Sequence, residues 1–295
     1  KLSADRDLPL PCKGSGKIVV EDPMHSQLLA AEPSDSGFSL DKSTFSQSEV
    51  LSPLCNTIRS TENAEVAKAE LGVLNTIIEG TGQTMRGDVW PIMIDAIASL
   101  SGDSSYSINR SSSEWSECCL LAFRNLKLIV DDFLDLLPSA TGESATASLL
   151  DCCSSFVVSR HDVNTSLTAI GLLWTIADRD SDSAAIDRAL SKLVLIVSDD
   201  RPEVRNAAVN TLFSCIAGRG SGFSATYWKS CIMGSVFKVY NIVASKTGVA
   251  EESTGEEASK YKVQLHHSRD SAEKMWIATL VLVLRGLTRV LRNFF

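Results

Sequence analysis

Residues 199–217 read DDRPEVRNAAVNTLFSCIA, and no other stretch limits the fold of this chain so tightly. An acidic start, a proline and then a Val-Arg pair lead into small apolar residues and Leu212. This is the pattern of the second helix in a helical-repeat hairpin. Asp199 or Asp200 is placed to cap the helix, and Pro202 fits a first turn, where a missing N–H costs nothing. Val204, Ala208, Leu212 and Cys215 fall on one helical face. Ala207 and Ala208 are small enough to admit a neighbouring helix at close range. A helix of this kind predicts a stack of helices that works through its surfaces.

The rest of the chain agrees with that reading. Apolar residues make up 44% of 295 residues and aromatics only 6%, so aliphatic side chains must fill the core, as packed helices require. Helical periodicity predicts segments at 63–79, 90–100, 114–137, 145–158, from Asp162 to about Arg179, at 184–197 and 224–243, and from Ser271 to the end. Their expected inner faces are Val66, Ala69, Val73, Leu74 and Ile77 in the first, and Trp90, Ile94, Ile97 and Ala98 in the second. The helix after Asp162 should turn Val163, Leu167, Ile170 and Trp174 inward, and the next Ile186, Leu190, Leu193 and Val197. Asp162 and Ser224 are expected helix caps. Strand signals are almost absent, apart from Ile18–Val20, a candidate short strand or turn of helix. The fold class is therefore all-α, an irregular HEAT/armadillo-type solenoid over 61–295, with loops at 101–113 and 247–265. The pair 184–217 fits the roughly 40-residue period of such repeats. Residues 1–60 hold five of the eight prolines and read mostly as loop or disorder.

Charge and cysteine usage narrow the function. A net charge of −8 disfavours a general nucleic-acid binder. The eight cysteines sit mostly in helix-like apolar runs without framework spacing, which reads as reduced thiols of a cytosolic protein packed as small core residues. No pairing of Cys or His has zinc spacing, so no metal or cofactor is expected. The longest apolar run, Met275–Leu284, is about half of the ~20 residues a bilayer span needs. The chain starts at Lys1 without a signal-peptide pattern, and both ends read as cut from a longer protein.

Candidate chemistry is sparse. His266, His267, Ser268 and Asp270 are dense in reactive groups, but adjacent residues do not converge on one point, and a helix entry accounts for them. Asp131, Asp132 and Asp135 read as a solvated helix face. Gly218–Gly222 lacks the Lys-Ser/Thr ending of a phosphate loop and reads as a turn between helices, which leaves no catalytic residue to nominate. The functional suggestion comes from the last helix. Trp276, Leu280, Val283, Leu284, Leu287 and Leu291 form an apolar stripe, and Arg285, Arg289 and Arg292 form a cationic one. The arginines suit an acidic partner or an anionic membrane. The favoured reading is a solvated face, since the protein is acidic overall and three cations contribute only ~3 kcal/mol at a membrane surface. The turns at Arg219 and Arg269 are further candidate surfaces.

Several segments together resemble the C-terminal half of the Mon-two (monensin-sensitivity) family. They are NTSLTAIGLLW at 164–174, RPEVR at 201–205 with TLFS at 211–214, and HHSRDSAEKMW at 266–276. GQTMR at 82–86 before Trp90-Pro91, and Phe123 through Phe133 to Leu137-Pro138, are similar to it as well. Order and spacing match over 75–290, while the family's longer insertion after the Trp174 helix shrinks here to about Arg179–Ala184. The resemblance implies a non-catalytic trafficking scaffold, related to the large Arf guanine-nucleotide exchange factors but without their catalytic domain. It implies peripheral association with trans-Golgi and endosomal membranes, a Dopey-type partner in endosome-to-Golgi transport, and Arf-family GTPases as further candidate partners. The alternative is a regulatory segment of a true Arf exchange factor whose catalytic domain lies outside this chain.

Overall fold

The computed structural model describes residues 46–102, 113–137, 143–179, 183–247 and 272–295. The chain divides into two compact units, Lys1–Thr44 and Phe45–Phe295, and every described residue belongs to the second. Among the described residues all regular structure is helical: α1 (Gln47–Ser60), α2 (Ala64–Thr81), α3 (Trp90–Ala98), α4 (Ser113–Asp132), α5 (Glu143–Val158), α6 (Val163–Arg179), α7 (Ser183–Ile196), α8 (Pro202–Arg219), α9 (Ala225–Cys231), α10 (Phe237–Lys246) and α11 (Ala272–Phe294). Short 3-10 turns follow α2, α4 and α8, and a π segment (Ile232–Val236) joins α9 to α10.

Packing sorts these helices into two layers. α1, α3, α5 and α7 stack in succession, and α2, α4, α6, α8 and α11 stack beside them. Consecutive helices bridge the layers as hairpins, with α1 on α2, α3 on α4, α5 on α6, α7 on α8 and α10 on α11. This is the all-helical repeat solenoid expected from the sequence. Its core is one continuous cluster of buried, mostly aliphatic side chains running from Cys55 to Val290. The seven described cysteines form no disulfide and are buried in it. Burial raises the thiols of Cys55, Cys119, Cys152, Cys153, Cys215 and Cys231, Cys55 to about 11 and Cys215 to about 12, so they pack as inert small side chains.

Local chemistry sets the helix starts. Asn63 accepts from the Glu65 and Val66 N–H groups at the head of α2. Asp162 accepts from the Thr165 N–H at 2.8 Å, and Ser224 from the Tyr227 N–H at 3.2 Å, as the sequence predicts.

Four local expectations need correction. First, the segment expected as loop contains α1, opened by a capping box in which Ser46 and Glu49 each bond the other's backbone N–H. Pro53 sits inside this helix, which hid it. Second, α2 buries Ala64, Ala67, Leu71, Leu74 and Ile78, while Val66 and Val73 face solvent. Its inner face is turned by about one residue (~100°) from the predicted one, because the small residues let α4 approach. The Cys118 thiol reaches the Ala64 carbonyl, and the Asn125 amide donates to the Leu71 carbonyl at 3.1 Å. The third concerns α6, where Val163 is exposed and Trp174 half-buried while Ser166, Ala169, Leu173 and Ile176 are buried. Fourth, the single helix expected over 224–243 is continuous but carries the π segment within it.

The candidate strand at Ile18–Val20, the His266–Asp270 cluster and Arg269 lie outside the described residues, as does most of both expected loops.

Candidate docking surface on the last helix

α11 is held by its inner face. Trp276, Thr279, Val283 and Val290 are buried, and the helix packs on α8 and α10. Gly286 permits the close approach to α8, since a Cβ there would lie 2.2 Å from the Phe213 ring. At the far end Phe294 stacks on Trp228 of α9 at 4.9 Å, and both rings crowd Gly220. Of the stretch expected as a helix-to-helix turn, Gly218 and Arg219 close α8 and Gly220–Gly222 forms the tight 3-10 turn toward α9.

The α8–α11 contact contains a buried cation. Arg205 is 1% exposed. Its Nε donates to the Thr279 hydroxyl at 3.0 Å and its Nη1 to the Asp200 carbonyl at 2.9 Å. The guanidinium lies 4.1 Å over the Trp276 ring. Nη2 has no hydrogen-bond partner. Burial pulls the arginine below its ordinary pKa, against the opposing pull of Glu203, Asp199 and Asp200. This role for Arg205 is not among the sequence-based expectations. A signal was present, because Ala208, Val209 and Leu212 follow at i+3, i+4 and i+7, which puts Arg205 in core register.

The start of α8 departs from expectation as well. Neither aspartate caps it: Arg201 occupies the cap position and makes no side-chain cap bond. Asp199 instead accepts from the Arg201 backbone N–H at 2.8 Å and grips its guanidinium with both oxygens, at 2.9 and 2.8 Å. The same guanidinium donates to the Val157 and Ser159 carbonyls at 2.7 and 3.0 Å, and to the Ser166 hydroxyl at 3.1 Å. Arg201 therefore locks the α5–α6 turn against the head of α8. Burial alone would raise the Asp199 carboxyl, but its bonds to Arg201 hold it below the usual carboxylate value.

The predicted site residues lie on the opposite side of α11. Arg285, Arg289 and Arg292 are all exposed, and among the described residues none forms an ion pair. The apolar stripe expected beside them is split. Trp276 and Val283 are buried and Leu280 and Leu287 half-buried, whereas Leu284 and Leu291 face outward. With Ile277 and Val281 they form an outward apolar row, each side chain between 40% and 48% exposed. Arg219 is tied down, donating to the Asp178 carbonyl at 2.8 Å. Asp131 pairs with Lys127, and Asp135 with Arg179 at 3.7 Å, on a solvated surface. Among the described residues no helix is long and apolar enough to cross a membrane. Nor, among them, do three or more His, Cys, Asp or Glu side chains group to hold a metal ion.

These features define a two-layer helical-repeat array. Residues 188–294 match the family model described as the C-terminal region of Mon2 protein. The Protein MON2 homolog of Xenopus laevis is 27% identical over 277 residues, covering 80% of this chain and 15% of that protein. Its Homo sapiens counterpart is 26% identical, covering 82% of the chain and 15% of the relative. This chain is thus similar to the Mon2 proteins over most of its length, and it spans about 15% of the length of those it matches. Brefeldin A-inhibited guanine nucleotide-exchange protein 4 of Arabidopsis thaliana is 29% identical over 107 residues, 36% of this chain and 6% of that protein, which supports the relation to Arf exchange factors. No solved structure matches.

Proposed function

We propose that this chain is a non-catalytic scaffold segment in traffic between endosomes and the trans-Golgi, acting by holding protein partners and associating peripherally with those membranes. The observation that carries the reading is similarity to Mon2 proteins along most of the chain, on a two-layer helical stack. Many of its charged groups are engaged in structural bonds, as Arg201, Arg205 and Asp199 illustrate. A Dopey-type protein and Arf-family GTPases are the partners this reading expects. The test is localisation of the tagged full-length protein together with partner identification by affinity capture. Co-localisation with trans-Golgi and endosomal markers and recovery of a Dopey-type protein are expected. A diffuse distribution with neither partner recovered overturns the reading.

The Arabidopsis match favours a second reading, a regulatory helical segment of an Arf exchange factor. A nucleotide-exchange assay on the full-length protein separates the two. Accelerated GDP release from an Arf GTPase supports the second reading and removes the scaffold-only one.

A further inference from the structure

The steps between neighbours within a layer are repeatedly bridged by a cation on one helix and an acceptor on the other, in either order. Arg59 of α1 pairs with Asp95 of α3, and Lys68 of α2 with Glu117 of α4. Arg188 and Lys192 of α7 share Asp151 of α5, and Arg219 of α8 reaches the Asp178 carbonyl of α6. On its outward side α11 presents the cationic half of such a step. In residues 272–295 the only acid is Glu273, against Lys274, Arg285, Arg289 and Arg292, in a chain whose net charge is −8. The helix dipole accounts for Arg292, in the last turn, but its effect fades within that turn and does not reach Arg285.

The arginines flank the outward apolar row. Ile277, Val281, Leu284 and Leu291 stand at i, i+4, i+7 and i+14, the spacing at which one helix seats along another. The row extends about 21 Å at 1.5 Å per residue, about four turns. Its side chains are aliphatic, whereas surfaces that enter a bilayer interface favour Trp and Tyr at the headgroup level. More than half of each side chain is already buried against its own helix and neighbours. The face is therefore tolerable in water when uncovered, as a reversible contact requires, and its exposed cations suit electrostatic steering of an incoming partner.

We infer that the outward face of α11 binds an acidic amphipathic helix of a partner protein, laid along it as the next helix of the layer. Leucine-like side chains of that helix meet the apolar row, and its Asp or Glu side chains take Arg285, Arg289 and Arg292. The inference deepens the scaffold reading by naming the chemistry of one partner segment.

The test places a photo-crosslinker at the centre of the row, Leu284→benzoylphenylalanine, in the full-length protein in cells, and sequences the peptide it captures. The expected product is one segment of another protein with an apolar row at helical spacing flanked by Asp or Glu. Its yield should fall at least tenfold in R285E/R289E/R292E and persist in R285K/R289K/R292K. All three positions are exposed, so melting should be unchanged in the lysine variant and lowered only slightly in the glutamate variant, where Arg292→Glu opposes the helix dipole. Capture of the protein's own chain, of lipid alone, of a segment without flanking acids, or of nothing overturns the inference, as does a yield indifferent to charge reversal. The readout is what sits on α11 and not where the protein resides, so failure here leaves the localisation test intact, and the converse holds.

Discussion

Asp199 and Arg205 show two ways a charge is kept inside this stack. Asp199 is matched: both its oxygens meet Arg201, and its carboxyl is held below the usual value. A carboxyl with a depressed folded pKa adds stability that is fully present above its unfolded value, about 3.9, and is lost as pH falls through the folded value. Asp199→Asn should therefore cost about 1.5–3 kcal/mol at neutral pH, the range for hydrogen bonds to charged groups. It should also flatten the loss of stability below about pH 5, as urea unfolding from pH 7 to pH 2 would show. An equal slope in variant and wild type would remove Asp199 from the pH response. Arg205 is only partly matched, with one nitrogen unpartnered and its stem packed in the core. Removing the whole side chain leaves a cavity beneath Trp276, so Arg205→Ala should cost about 2–4 kcal/mol. Arg205→Met keeps the packing and discards the buried charge, and should fall within about 1 kcal/mol of wild type. If the Met variant is as unstable as the Ala variant in denaturant titration, the bonds to Thr279 and Asp200 carry the stability and the stem does not.

Helix against helix, the spacing between α8 and α11 is set by Gly286. Alanine there would gain about 1 kcal/mol in helix propensity. Its Cβ would strike the buried Phe213 ring, so the overpacking cost of about 1–3 kcal/mol should win. Gly72 of α2 is the control: a Cβ there meets nothing within 4 Å. Gly72→Ala should stabilise by about 0.4–1 kcal/mol, and thermal melts of the two variants should move in opposite directions. The same packing explains what the sequence could and could not disclose. α7 and α8 were readable because large aliphatic residues mark their inner faces and Pro202 marks a start. α1 was not, because Pro53 suggested a loop more strongly than Ser46 and Glu49 suggested a capping box. The face of α2 was misplaced because Ala64 and Ala67 carry little weight in a hydrophobic pattern yet decide how near α4 comes. Arg285, Arg289 and Arg292 were legible as an exposed stripe. The burial of Arg205 was not, since it depends on Trp276 and Thr279, some seventy residues away in α11.

Over the whole described array, the principal packing pairs join helices that are near neighbours in order, and α8 with α11 is the widest of them. In such a stack stability is close to a sum of each hairpin's own stability and its interface with the next. A lesion at one end should then open that end first and leave the other closed. Val283 is fully buried between α11 and its neighbours, so Val283→Ala removes packing that only this end of the stack uses. The cost, about 1–3 kcal/mol, should appear as roughly tenfold faster amide hydrogen exchange in α10 and α11 for each 1.4 kcal/mol lost. Amides of α8 should respond less, because α6 and α7 still hold that helix on its other sides. Amides of α1 to α3, which pack on one another and on α4 and α5, should exchange at the wild-type rate. A uniform acceleration from α1 to α11 would mean that the array opens only as one unit. The bridges between successive helices, such as Arg201 across the α5–α6 turn and Arg188 to Asp151, would then couple the hairpins more strongly than their apolar interfaces do. The graded pattern is the expected one, because most of these bridges are partly exposed and exposed ion pairs contribute at most about 1 kcal/mol, less than a buried valine removed from the core.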